Sequence, residues 1–99
     1  MLDLDNIKMS KETLLHTYQK HNIRRRDINK SLATGVRAVL NGTSNNKVVY
    51  TQDYMAVVID ESNNLISAYK SNERQYRIRC HKSKINGKKL DPLQFQLIK

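Results

Sequence analysis

The sequence predicts an α+β domain: two N-terminal helices packed on one face of a four- to five-stranded antiparallel sheet. Three observations lead there. The central stretch from Asp53 to His81 reads as strand-length segments separated by polar turns. The first forty residues instead place apolar side chains at helical spacing. The 99 residues, 38% of them hydrophobic, supply one modest core and so one domain, spanning 1–99.

Met1–Met9 is a short lead-in, with Leu2, Leu4 or Ile7 available for packing. Ser10 is a natural N-cap for a first helix over Lys11–Lys20, in which Leu14, Leu15 and Tyr18 form an apolar stripe. His21-Asn22-Ile23 breaks that pattern, and the basic run Arg24-Arg25-Arg26 follows. Asp27 then caps a second helix. Ile28, Leu32, Val36, Val39 and Leu40 fit a 3.6-residue stripe that Asn41-Gly42 stops. Gly35 costs such a helix up to about 1 kcal/mol, so two shorter pieces breaking at Thr34-Gly35 are an alternative.

Lys47–Thr51 reads as a strand and Gln52-Asp53 as a tight turn. Asp53–Asp60 is the next strand, Glu61–Asn64 a turn, and Leu65–Tyr69 the returning strand. Lys70–Gln75 turns again. Tyr76-Arg77-Ile78-Arg79-Cys80-His81 alternates strictly, the period of a strand with one buried face. With Ile66, Ala68, Tyr76, Ile78 and Cys80 in the core, Ser67, Tyr69, Arg77, Arg79 and His81 gather on an open face; a one-residue slip would reverse this. Asp91-Pro92 marks a turn, and Phe95–Ile98 a short terminal strand.

Charge narrows the function classes. Lys and Arg number 18 against 9 Asp and Glu, a net charge of +9. From Lys70 to Lys99 there are nine basic residues against Glu73 and Asp91, leaving +7 in the last third. Such a surface suits a polyanion, chiefly nucleic acid. No apolar run reaches the roughly 20 residues that span a bilayer, and the start Met1-Leu2-Asp3-Leu4-Asp5 is acidic, unlike a signal peptide. A soluble, cytoplasmic protein with no membrane partner is expected, and the Asn41-Gly42-Thr43 sequon then carries no weight. The single cysteine, Cys80, forms no internal disulfide and reads as a small buried hydrophobe. Neither a metal site nor a cofactor is called for by the residue pattern.

Ile23, Asp27-Ile28-x3-Leu32-x2-Gly35, Tyr54-x2-Val57-Val58-Ile59-Asp60 and Leu65-Ile66-Ser67-Ala68-Tyr69 together resemble the small bacterial ribonuclease toxins of the RelE and colicin D type, and related uncharacterised toxin-like domains. The resemblance covers roughly residues 14–69. It departs from the family at the helical His/Arg pair: His16 stands for the first member, but Gln19 or Lys20 falls where arginine is usual. What it implies is a metal-independent endoribonuclease acting on tRNA or mRNA in the bacterial cytosol, whole or delivered as part of a longer toxin. A cognate antitoxin or immunity protein would restrain it.

Metal-free RNA cleavage needs a base for the 2′-hydroxyl, an acid for the 5′-oxygen, and cations for the phosphorane. His81 is the candidate for proton transfer, Arg79 for the phosphate, Tyr69 and Ser67 for hydrogen bonding or stacking, and His16 as a helper from the first helix. Arg24, Arg25, Arg26, Arg77, Lys82, Lys84, Lys88 and Lys89 are the RNA-binding candidates. His21 and the arginine run approach the same edge from the exit of the first helix. Each has a plainer reading: His81 as a solvated surface residue, His16 as packing or surface, Tyr69 as core, and Arg24–Arg26 as a solvated charge run or a phosphate-contacting patch without chemistry. Two other functions remain open: a non-catalytic nucleic-acid-binding regulator, and a basic inhibitor, of phage or plasmid origin, that binds an acidic protein.

Overall fold

Ser10 starts the first helix as its sequence position indicates: its hydroxyl accepts from the Thr13 N–H and opens α1, Lys11–His21. In this computed structural model, which describes residues 4–42 and 44–85, α1 is followed by α2 (Arg25–Ala33), β1 (Val36–Asn41), β2 (Lys47–Thr51), β3 (Met55–Ile59), β4 (Leu65–Lys70) and α3 (Glu73–Ile85). The strands form one antiparallel meander in the order β1-β2-β3-β4. The two N-terminal helices pack on it, so the α+β class and its arrangement stand.

Asn22 closes α1 in the left-handed region (φ 55°), where asparagine is tolerated, and its N–H reaches the Tyr18 carbonyl at 2.9 Å. Arg24, not Asp27, occupies the N-cap of α2. Asp27 instead sits in the first turn and accepts from the Arg24 N–H at 2.9 Å. Ile23 and Ile28, both fully buried, pin this corner to the sheet beside Val39, Val49, Val57 and Ile59. Leu4, Ile7, Met9, Leu14 and Leu32 complete that layer. Lys8 extends the β4 edge, accepting from the Leu65 N–H at 2.8 Å.

Three further expectations are corrected. The second helix does not run to Leu40. It stops at Ala33, and Gly35 (φ 107°) turns the chain into β1. A β-bulge at Arg37 lies between the Val36↔Thr51 and Ala38↔Tyr50 pairs. It spaces Val36 and Val39 three apart on one face, and so imitates a helical stripe.

The middle strand has a similar irregularity. Val58 pairs Ser67 while Ile59 pairs Leu65, which leaves Ile66 as the extra residue. Ile66 is therefore 43% exposed and Leu65, at 2%, takes the core position, while Ala68 is buried as expected.

The third correction concerns Tyr76–His81, which is helix and not strand. Asn72 opens α3, its side-chain oxygen accepting from the Gln75 N–H at 2.8 Å and its carbonyl from the Tyr76 N–H at 2.9 Å. The Arg, Gln and Lys residues that follow favour helix by propensity. Tyr76 and Cys80, four apart, share the inward face and pack on Ala38, Leu40, Val48, Tyr50 and Ala56. Ile78 is turned outward, 38% exposed. The sheet face expected to be open is thus partly covered by α3. The turn at Asp91-Pro92 and the strand Phe95–Ile98 lie outside the described residues.

Candidate functional site

The four strands place one row of side chains across the α3 side of the sheet: Ala38, Tyr50, Ala56 and Tyr69, in register. Small and large residues alternate along it, so the two phenol rings have room above the alanines. Arg79, reaching down from α3, donates from Nη2 to the Tyr69 hydroxyl at 3.1 Å. Tyr50 is 1% exposed. Burial first, then the neighbouring Tyr69 phenol, push its hydroxyl up to about 12 from 10.0, against the opposing pull of Arg79. Tyr50 therefore stays a neutral phenol at any physiological pH.

The exit of α1 reaches the same cluster from the side. α1 lies along β4, and the His21 ring stands 5.9 Å from the Tyr69 ring, tilted 45°. Arg79 and His21 thus flank one phenol. His21 is exposed, as are Arg24, Arg25 and Arg26 just beyond it. Arg24 stacks over Tyr18, 4.9 Å from the ring centroid, and Nη2 reaches the Tyr18 hydroxyl at 3.4 Å.

At the rim of the sheet the row continues into Arg37 and Tyr54. The β1 bulge aims Arg37 across the β2–β3 turn, where its guanidinium lies 4.3 Å above the Tyr54 ring and Nη2 donates to the Gln52 carbonyl at 3.2 Å. Tyr54 has φ 65°, a left-handed conformation that costs a bulky residue about 1–2 kcal/mol. Tyr76 joins both groups, with ring centroids 5.0 Å from Tyr50 and 6.0 Å from Tyr54. Burial, then Cys80, push the Tyr76 phenol to about 12 as well.

A polar knot fixes the turn that carries Tyr54. Ser31 of α2 and Thr51 of β2, both buried, donate to Asp53 Oδ1. The Met55 N–H donates to Thr51 Oγ1 at 3.0 Å. The Tyr54 backbone is held from both sides, donating to the Thr51 carbonyl and accepting from the Ser71 N–H, each at 3.0 Å. Burial raises the Asp53 carboxyl, but the Ser31 and Thr51 hydroxyls and the backbone N–H groups outweigh it and hold the group below its ordinary 3.8.

Of the residues singled out from sequence, Tyr69 and Arg79 are brought into contact. Ser67 is on the Tyr69 side of β4 but opposite Val58, about 7 Å further along the strand. His81 is exposed on α3, two residues and roughly 200° round from Arg79, so it is carried away from Tyr69. Arg77 is exposed and paired with Glu73 at 2.6 Å. His16 is exposed on α1, five residues before His21 and most of the way to the opposite face. Lys82 and Lys84 continue α3, while Lys88 and Lys89 lie outside the described residues.

Comparison with protein-family models, with curated proteins and with solved structures finds no match. The site is therefore argued from its own chemistry. Tyr50, Tyr54, Tyr76 and Arg37 are the members that strand-and-turn reasoning passed over. Tyr50 carried a signal, lying on the opposite face of β2 from Val49. Arg37 carried none, because nothing in Val36-Arg37-Ala38 announces a bulge. Among the described residues no helix is long and apolar enough to cross a membrane.

Proposed function

We propose that this protein binds RNA and cleaves it with its own side chains, as a toxin-like endoribonuclease. The observation that supports this reading is the flanking of Tyr69 by Arg79, at 3.1 Å, and His21, with rings 5.9 Å apart, on an otherwise basic molecule. His21 takes the proton of a ribose 2′-hydroxyl as that oxygen attacks the adjacent phosphorus. Arg79 answers the charge on the phosphorane oxygens. Tyr69 gives its proton to the departing 5′-oxygen, and Arg79 and the neutral Tyr50 hydroxyl sustain the phenolate. Proton return from the His21 imidazolium to Tyr69 resets the site, leaving a 2′,3′-cyclic phosphate and a 5′-hydroxyl. tRNA or mRNA is the proposed substrate, the bacterial cytosol the proposed place of action, and an antitoxin or immunity protein the proposed partner.

A second reading, RNA binding without cleavage, has one observation in its favour. A single imidazole meets the cluster, and Tyr50 is held out of proton transfer by its pKa near 12. Incubation of the protein with total tRNA, read on denaturing and native gels, separates the two. Cleavage by wild type should fall by about 10²-fold or more in His21→Ala and Arg79→Ala, and persist in His81→Ala. RNA that is shifted on the native gel but intact on the denaturing gel would leave the binding function alone.

A further inference from the structure

We infer that the Arg37–Tyr54 stack at the rim of the sheet is a base-stacking subsite for single-stranded RNA, beside the Tyr69–Arg79–His21 cluster. The inference rests on RNA as ligand but not on its cleavage. Neither side chain belongs to the two apolar layers that hold the sheet. Three local costs nevertheless converge on their contact. β1 gives up a ladder position at Arg37. Tyr54 adopts φ 65°, which glycine would adopt without strain. Arg37 Nε is shut from solvent with no hydrogen-bond partner among the described residues.

The bulge also serves packing, since it sets Val36 beside Val39 on one buried face, but that burial requires neither a left-handed Tyr54 nor a partnerless Arg37 Nε. The product of the three is a flat guanidinium laid on a phenol ring, half-exposed, at the edge where the basic helix α3 begins. A guanidinium plane and an aromatic ring are the two surfaces on which unpaired bases stack. The Gln52 carbonyl fixes the guanidinium in that plane through Nη2 at 3.2 Å. The polar knot at Asp53 and the Ser71 N–H fix the backbone beneath the ring. The subsite is therefore rigid before any ligand arrives. Arg37 on β1 and Tyr69 on β4 are three strand spacings apart, about 14 Å at the backbone, so one extended strand of RNA spans both.

The test measures affinity for a 2′-O-methyl RNA dodecamer, which resists attack by its own 2′ oxygen, against an abasic oligomer of equal length. Wild type should favour the base-bearing oligomer. Tyr54→Gly relieves the left-handed strain but gives up the ring contacts with Arg37 and Tyr76. It should remain folded at the assay temperature by circular dichroism, yet bind the dodecamer about tenfold more weakly and lose its preference over the abasic chain. Arg37→Lys, which keeps the charge and loses the plane, should lose most of the same preference, and Tyr54→Phe should retain it. Unchanged affinity in Tyr54→Gly and Arg37→Lys would overturn the subsite, as would a wild type that binds neither oligomer or both equally. A wild type that stacks bases in this assay but leaves tRNA intact would overturn the nuclease reading alone.

Discussion

Tyr50 and Tyr69 sit in one row of the sheet, two strands apart, but they face different surroundings. Tyr50 is sealed beneath α3 with its proton held to about 12, while Tyr69 is half-buried between Arg79 and the exposed His21. The same residue type therefore serves as a fixed neutral donor in one place and as a candidate proton donor in the other. The buried phenol has a consequence for stability. Between pH 10 and 12 an unfolded chain has released the Tyr50 proton and the folded chain still binds it, so stability falls as pH rises through that window. Tyr76 adds a loss of the same sign. Tyr50→Phe should melt with a shallower decline in Tm between pH 9 and 11.5 than wild type, measured by circular dichroism. An identical decline would mean that the Tyr50 hydroxyl is not shielded as its 1% exposure implies.

At the level of elements, the join between α2 and the β2–β3 turn rests on Asp53. Its carboxylate accepts from two buried hydroxyls, Ser31 on α2 and Thr51 at the end of β2, and its pKa is depressed in consequence. Stability from this group is present above pH 3.8 and is lost as pH falls through the lower folded value. Asp53→Asn should cost about 1 kcal/mol at pH 7 after allowance for solvent screening, in urea unfolding. That deficit should shrink in acid, once the pH lies below the depressed folded value and the wild-type carboxyl is also neutral. A deficit equal at pH 7 and in acid would place the cost in amide geometry and not in charge. Elements of this kind also show what the sequence made legible. α1, β2, β3 and β4 follow from a cap, a run of β-branched residues and turn chemistry, all local in sequence. β1 and α3 do not. The bulge at Arg37 gave a strand the i, i+3 spacing of a helix, and Tyr76-Arg77-Ile78-Arg79-Cys80 gave a helix the alternation of a strand. In each case one face was read from period alone, and pairing with β2 or packing of Tyr76 and Cys80 decided otherwise. The Arg79–Tyr69 half of the candidate site survived that error because both residues point at the same sheet face from either element type. His81 did not, since helical rotation turns it away.

For the molecule as a whole, the net charge of +9 is a property of the surface and not of the fold, and it sets how binding responds to salt. Each phosphate neutralised on a single strand contributes about −0.7 to the slope of log affinity against log salt. The described cations are not equivalent in this respect. Arg77 is already paired with Glu73, and Arg24 is stacked on Tyr18. Arg25 and Arg26 are exposed in the first turn of α2, next to the corner that presents His21. If the RNA strand passes His21, those two arginines meet its backbone. Replacing both with Ala should make the slope shallower by about 1.4 and weaken binding most at low salt. Tyr54→Gly should lower affinity by a similar factor at every salt concentration, because stacking releases no counterions. Fluorescence anisotropy titrations of the 2′-O-methyl dodecamer between 50 and 300 mM KCl distinguish the two kinds of loss. A slope left unchanged by removal of Arg25 and Arg26 would direct the strand along α3 and away from His21. The case for His21 as the proton acceptor would then fail together with the path that brings substrate to it.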